Sequence, residues 1–379
     1  MMSDGSLTDG HRNGSAISSN RKEFDYGWGI SLGAFVCENC DWRYFHSFES
    51  IPKLCPHCFR PTLSTLDQNE ISHLITNPPE LYKSFTVDQD IVKKELLKFV
   101  KGIRFAPKDL SIQNLERRLN RIFLPKWLVD AAVKATWEAE LGYDYQVVSH
   151  RERYDQNSRG WKTQEITETR IRWEPRVGRL DRTYHNIHAP GLEDDADLLQ
   201  IIGNYDLSKV QHYEVSGLSN AYVSLPNRSE GDAWTAALPS FQSAASGECK
   251  LAAAADHIRQ FRWKPTYDSH NWTLLLLPIY TTYYIDDAGA PQVVLLHGRT
   301  GRVHGARKAS MKRARRISLM MVTAATVIFL LSVVVALGSM FLQPLIILAG
   351  VGLLLSILLL ILAGIPVGLV WQFNRRISI

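Results

Sequence analysis

Two pairs of cysteines have the spacing of metal ligands. Cys37 and Cys40 form one Cys-x-x-Cys pair, and Cys55 and Cys58 form a second pair after fourteen intervening residues. Each pair places two thiolates on one tight turn, and two such turns complete the tetrahedral shell of a structural Zn²⁺. The sequence therefore predicts a zinc ribbon over residues 26–70. A redox role is the alternative for a single pair, but two pairs at this spacing favour a closed, non-catalytic zinc site.

The charge of the predicted ribbon bears on whether its partner is a protein or a nucleic acid. Between residues 37 and 60 three acidic residues balance three basic ones, and four thiolates around one Zn²⁺ add about two negative charges. Trp42, Tyr44 and Phe45 could stack on nucleic-acid bases, but such aromatic residues also cover the small core of a ribbon. We expect a protein partner rather than nucleic acid, with Trp42 as the first candidate contact. His57 lies between the cysteines of the second pair and is expected near the metal, but not as one of its ligands.

Positive charge is concentrated at one place in the chain. The 379 residues carry a net charge of +5, but residues 307–316 contribute six positive charges and Arg375 and Arg376 two more. Residues 1–306 therefore carry −3, which is not the footprint of a nucleic-acid-binding protein. The basic run can hold anionic lipid headgroups. Its members are Arg307, Lys308, Lys312, Arg313, Arg315 and Arg316.

Two uncharged stretches follow the basic run. Residues 317–342 and 345–373 contain no charged side chain, and about 20 apolar residues suffice for a helix to cross a bilayer. Gln343 and Pro344 lie between the stretches, so residues 317–373 predict a transmembrane helical hairpin; a hairpin buried in a globular core is the alternative. Basic residues flank the hairpin on both sides, so the body and the C-terminus are expected in the cytoplasm, at the inner membrane of the cell.

The N-terminus and the cysteine count agree with that location. Residues 1–25 are rich in Ser, Gly, Asn and Asp and have no apolar core, which predicts a disordered tail and no signal peptide. Cys249 leaves the cysteine count odd, which fits a reducing compartment better than a disulfide framework.

Residues 80–306 predict a soluble body of helices and strands. Helical periodicity over 86–103 and 109–122 precedes strand patterns over 123–150 and 163–175. A helix is expected in the second half of 231–263, a strand over 272–285, and a strand, a Gly-rich turn and a second strand over 292–305. Helix followed by Leu-Pro-aromatic occurs near 112–131 and again near 251–284, which two related units would explain; coincidence is the alternative, because the match is short. The predicted class is thus α+β: a zinc ribbon, a mixed helix-plus-sheet body and a two-helix hairpin.

Other candidate chemistry is weaker. "GRTGRVHG" at 298–305 lacks the order of a phosphate-binding loop. His185 and His188 are expected in an exposed loop, and the acidic segment 193–197 in a solvated one. No nucleophile and base share a recognisable local signature, so we expect a protein that is not an enzyme.

Several stretches together carry a family resemblance. They are the ribbon cysteines, "IRFAPKDL" (103–110), "FLPKWLVDA" (123–131), "RIRWEPRVGRL" (170–180), "LLLLPIYTTYY" (274–284) and "HGRTGRVHGAR" (297–307). In this order they resemble a family of bacterial membrane-anchored TFIIB-type zinc-ribbon proteins, often labelled primosomal N′ helicase paralogues. Some members are similar to the zinc-ribbon membrane protein of an operon that also encodes a phage-shock-type and an SPFH-domain protein. Where the family usually has Asn-Gly-x-Thr-Gly, this chain has His297 in place of the Asn, and residues 205–245 match poorly.

Three functions remain open at this point. The first is a cytosol-facing scaffold or adaptor that recruits protein partners through the ribbon, which the resemblance connects to envelope stress. The second is a nucleic-acid-binding regulator held at the membrane. The third is an enzyme with a site in the α+β body, which converging perturbed groups in a deep pocket would favour.

Overall fold

The chain combines a sheet-based body with two apolar C-terminal helices, and this confirms the predicted α+β class at that level. The computed structural model describes residues 28, 32–47, 52–66, 78–155, 160–203, 205–218, 220–338 and 345–377. The predicted tail, 1–25, and the predicted turn at Gln343 and Pro344 lie outside these ranges.

Within the described residues, eleven strands form one sheet. The strands are β1 (Leu32–Cys37), β2 (Arg43–Ser47), β3 (Leu63–Thr65), β4 (Leu81–Tyr82), β5 (Asn120–Asp155), β6 (Gly160–Pro190), β7 (Gln211–His212), β8 (Tyr222–Ser224), β9 (His257–Ile285), β10 (Pro291–His297) and β11 (Val303–Gly305). Their order is β11-β10-β9-β5-β8-β2-β1-β3, with β6 also on β5, β4 on β9 and β7 on β4. The predicted hairpin at the Gly-rich turn is present as β10 and β11.

Seven α-helices accompany the sheet in the described ranges. They are α1 (Gln89–Lys101), α2 (Ile112–Arg117), α3 (Asp195–Ile202), α4 (Glu230–Ala252), α5 (Met311–Gly338), α6 (Leu345–Ala363) and α7 (Ile365–Ile377). The face of α1 that the periodicity predicted is buried: Val92, Leu96 and Phe99 pack in one cluster with Leu115 of α2. Ser111 caps α2 by accepting a hydrogen bond from the N–H of Asn114, which satisfies one of the free donors at the helix start.

Three strands are far longer than the sequence suggested. β5 has 36 residues, β6 has 31 and β9 has 29, so β5 extends for about 120 Å at 3.3 Å per residue. We call residues 127–155, 160–189 and 257–272 the arm. The strand prediction over 123–150 and 163–175 was right in type and too short, because alternation indicates a face and not the point where a strand ends.

One face of the arm is covered by α4. The helix presents Ala233, Ala237 and Phe241, which pack against Val129 and Val133 of β5. Small alanine side chains let the helix approach the sheet closely, and the buried aromatic ring fills the space that remains. The opposite face of the arm is exposed, and apolar side chains lie among its polar ones; Val177, for example, is 80 % exposed.

Three local expectations were wrong. The helix expected late in 231–263 lies early, because Ser229 caps it at Glu230 and residues from His257 onward pair with β5. His185 and His188 lie in β6 rather than in a loop. The acidic segment is the start of α3, where Asp195 pairs with Lys126 at 2.5 Å.

The apolar helices pack against each other and leave most of their surface uncovered. Ser332 of α5 and Ser356 of α6 are buried, and a Cβ at Gly352 would overlap the Ser332 hydroxyl, so the helices approach through small residues. In the most apolar 18-residue segment of α5 only 11 % is buried, and in the corresponding segment of α6 and α7 only 17 % is buried. Both are long and apolar enough to span a membrane.

Candidate metal centre

The two cysteine pairs form two turns of the same shape. In the first, the N–H of Asp41 donates to the carbonyl of Cys37 at 2.8 Å; in the second, the N–H of Phe59 donates to that of Cys55 at 2.9 Å. Asp41 and Phe59 have positive φ angles, +55° and +57°. This repeated left-handed residue turns the chain back towards the next strand, so that each turn aims two sulfur atoms at one point.

The four sulfur atoms converge as the spacing predicted. The Sγ atoms of Cys37 and Cys58 lie 3.5 Å apart, those of Cys40 and Cys55 lie 3.7 Å apart, and all four lie within 4.8 Å of one another. A tetrahedral ion with metal–sulfur bonds of about 2.3 Å places its ligands about 3.8 Å apart. The four cysteines therefore fit a single metal ion and could hold it.

Groups around the sulfur cluster change the pKa values of its thiols. The hydroxyl of Thr62 lies 3.1 Å from Cys37 Sγ, and the N–H of His57 donates to Cys55 Sγ at 3.4 Å. The hydrogen bond between Cys40 and Cys55 lowers the pKa of Cys55 to about 5 and raises that of Cys40. Burial raises the pKa of Cys58 to about 11. A metal ion must displace the protons of Cys40 and Cys58, so its binding is expected to weaken at low pH.

The centre is built into the body rather than attached to it. β2 pairs with β8, with Tyr44 opposite Ser224. The hydroxyl of Thr281, in β9, donates to the carbonyl of Pro56 at 2.9 Å. The buried cysteines share one apolar core with residues of β5 and β9. Its members include Cys37, Trp42, Tyr44, Cys55, Ile122, Leu124, Leu275 and Leu277.

No family model, curated protein or solved structure matches this chain. The chemistry of the centre therefore follows from its own geometry.

Trp42 and His57 lie beside the sulfur cluster. Their rings stack with centroids 3.9 Å apart and planes 8° apart, and Trp42 is only 8 % exposed. His57 lies near the metal position without joining the sulfur cluster, as expected. A partner contact at Trp42 stays a prediction.

A crevice of about 820 Å³ lies beside this ring. Trp42 lines it together with Trp127 of β5 and Trp272 of β9, and the indole N–H of Trp127 donates to the carbonyl of Arg228 at 3.2 Å. Acidic residues also line the crevice: Asp41, Glu80, Glu193 and Glu230. Sequence reasoning missed Trp127 and Trp272, because only the pairing of β5 with β9 brings them beside the ribbon.

The basic run lies at the base of α5 and is partly engaged with the body. Lys308 pairs with Asp286 at 3.2 Å, and Lys312 donates to the backbone carbonyl of Asp287 at 2.5 Å. Arg313 donates to the carbonyl of Ala106, and Arg307 lies over the ring of Phe99. Arg315 and Arg316 are exposed. The run thus joins the apolar helices to the body, and binding of lipid headgroups stays a prediction.

Proposed function

We propose that this protein is a membrane-anchored adaptor. Cys37, Cys40, Cys55 and Cys58 hold one structural Zn²⁺, the body presents the face beside that ion to a protein partner, and α5 to α7 fix the body to the bilayer. This is the function that the family resemblance implies, and it places the chain at the cytoplasmic membrane.

The observation that carries the proposal is the continuity of the three parts. The sulfur cluster shares its core with β5 and β9, and residues of β9 and β10 share a second core with the bases of α5 and α7. Four sulfur atoms fill the coordination shell of the ion, so the zinc holds the fold and has no position for substrate. A partner bound near the zinc is therefore held at a fixed position relative to the membrane.

The exposed surface of α5 and α6 supports a membrane rather than a buried hairpin. A core helix of a soluble protein is mostly buried, whereas most of each apolar window here is not. The N–H of Ala309, before α5, donates to the Asn374 side chain of α7 at 2.8 Å, so both ends of the hairpin lie on the side of the body. The basic flanks favour the cytoplasm for that side. A reporter fused after Ile379 is expected to behave as cytosolic, and an extracytoplasmic signal would reject this topology.

The crevice supports a docking position for the partner. Trp127 and Trp272 are half-buried and line this crevice, and tryptophan is typical of residues that dominate binding energy. Four acidic residues and two basic ones, Arg43 and Arg228, line the crevice. The resulting net charge of −2 favours a partner segment that carries Lys or Arg beside an apolar side chain.

Purification of the tagged full chain from membranes tests this function. Wild type is expected to retain a protein partner that Cys37→Ser/Cys40→Ser and Trp127→Ala/Trp272→Ala both lose. Trp161→Ala, on the arm and 69 % exposed, is a matched control that should keep it. Unchanged partners in all variants would remove the ribbon and the crevice from the recruiting role. Tight, salt-sensitive DNA binding by wild type would favour the regulator instead.

A further inference from the structure

The outer half of the arm is a two-stranded ribbon with little support. The pairing of β9 with β5 ends at His257 opposite Gly142, whereas β5 and β6 remain paired out to Asp155 and Gly160. An isolated two-stranded ribbon is marginally stable in water, and a third strand is normally needed.

The second edge of β6 is uncovered. Among the described residues, β6 pairs with β5 alone. This 31-residue edge presents a row of backbone donors and acceptors that can pair with another strand, interrupted at Pro175, which has no N–H.

The charges along β6 indicate which strand that is. In an antiparallel pair of two β6 strands with the two-fold axis at Arg172, every residue between 165 and 179 faces a defined residue of the second copy. Opposite charges then face each other at six positions, because each pair occurs twice. The pairs are Glu165 with Arg179, Glu168 with Arg176, and Arg170 with Glu174.

Neighbouring registers lose this match. With the axis moved to Ile171, Arg170 faces Arg172 of the second copy. With the axis at Trp173, Arg170 faces Arg176. Like charges directly opposite each other destabilise a strand pair, and opposite charges stabilise it.

We propose that the chain forms a homodimer through the edges of its β6 strands, antiparallel and centred on Arg172. The two arms then form one continuous sheet, in which residues 160–171 of each copy lie against 173–184 of the other. Each unsupported ribbon thereby gains the stretch of the partner's arm that β9 and α4 already stabilise. Ile171, which is 40 % exposed, then faces Trp173 of the second copy.

Like charges meet at three positions in this register, once at the axis and once at each end of the paired stretch. Arg172 faces its own copy, but its Nε lies 3.0 Å from Glu174 Oε1, and this carboxylate offsets the repulsion at the axis. Lys162 faces Arg182, at the end of the paired stretch, and Arg182 is already paired with Glu248 of α4 at 2.5 Å.

Cysteine cross-linking of the full chain in detergent tests the register. Arg172→Cys is expected to form a disulfide-linked dimer on mild oxidation. Thr163→Cys alone should not, because residue 163 faces Asp181 and its own copy lies about 60 Å away. A mixture of Thr163→Cys and Asp181→Cys chains should cross-link again. Equal cross-linking of Arg172→Cys and Thr163→Cys, or none by Arg172→Cys, would overturn the proposal.

Charge reversal tests the pairing independently of cysteine chemistry. Glu168→Arg places arginines opposite each other twice and should weaken dimerisation in sedimentation experiments by about tenfold or more. Adding Arg176→Glu should restore it. Both side chains are exposed, so neither variant disturbs the core. A wild-type chain that stays monomeric would contradict the proposal, whether it is alone or has a different protein bound to this edge. A dimer that neither Glu168→Arg nor the added Arg176→Glu affects would also contradict it.

Discussion

Leu124 lies directly opposite Leu277 in the central antiparallel pair of strands, β5 and β9. A proline follows each leucine, and a glycine from the next strand packs against each proline carbonyl. Gly191 follows β6 and meets Pro125; Gly298 follows β10 and meets Pro278. The two Leu-Pro segments that suggested related units thus have equivalent surroundings. The helices before them are not equivalent, since α4 ends 25 residues before Leu277, and the relation between two units stays a prediction.

These glycines are expected to tolerate no side chain. A Cβ at Gly191 would lie 2.5 Å from the carbonyl oxygen of Pro125, and one at Gly298 would overlap that of Pro278. Because the obstacle is backbone, Gly298→Ala should destabilise the protein by about 1–3 kcal/mol. Gly247→Ala, in α4 with no atom within 4 Å of the added carbon, should be neutral or stabilising. Thermal unfolding of wild type, Gly298→Ala and Gly247→Ala in detergent measures the difference. Equal unfolding midpoints for the three chains would contradict the close approach of Gly298 to the carbonyl of Pro278.

The ion pair between Lys126 and Asp195 is almost dry. Its side chains are 8 % and 14 % exposed, and the charged atoms lie 2.5 Å apart. Asp195→Ala leaves an uncompensated buried charge and should cost about 3–5 kcal/mol of unfolding free energy. Asp195→Leu combined with Lys126→Met removes both charges and should recover most of that loss. Chemical denaturation decides the point; a double variant as unstable as Asp195→Ala would show that the charges themselves are required.

The sequence predicted the parts of this fold that local spacing determines. The cysteine turns, the apolar face of α1 and the two long apolar helices each depend on residues close together in the chain. The length of the arm could not be predicted, because alternation along β5 says nothing about whether β6 and β9 accompany it. The crevice was missed for the same reason: Trp127 and Trp272 meet only through strand pairing across more than a hundred residues.

The close approach of α5 and α6 can be tested with two neighbouring glycines. Gly352 faces Ser332, whereas a side chain at Gly350 meets no atom within 4 Å. Gly352→Leu should force the helices apart and lower the thermal stability of the full chain in detergent, by about 1–3 kcal/mol. Gly350→Leu, two residues away, should leave it unchanged. Equal effects of the two substitutions would contradict the antiparallel packing.

Acidification should destabilise the protein through His46. This side chain is 5 % exposed, and burial lowers its pKa below 6.5. The unfolded chain therefore binds a proton that the folded chain does not, so stability falls as the pH drops from about 6.5 to the lowered pKa. His46→Gln should reduce this loss. The measurement is the unfolding free energy of wild type and of His46→Gln at pH 7.5 and at pH 5.5. If both chains lose the same free energy between these pH values, His46 does not change its protonation on unfolding and the prediction is wrong.

The metal content of the purified full chain tests the central claim most directly. Native mass spectrometry should show one Zn²⁺ per chain, with a mass that corresponds to loss of the thiol protons displaced by the metal. Cys37→Ser/Cys40→Ser should lose the ion and the fold around β1 to β3, while the chain remains in the membrane fraction. A wild-type chain that is folded at the ribbon, carries no metal and still binds its partner would contradict the account.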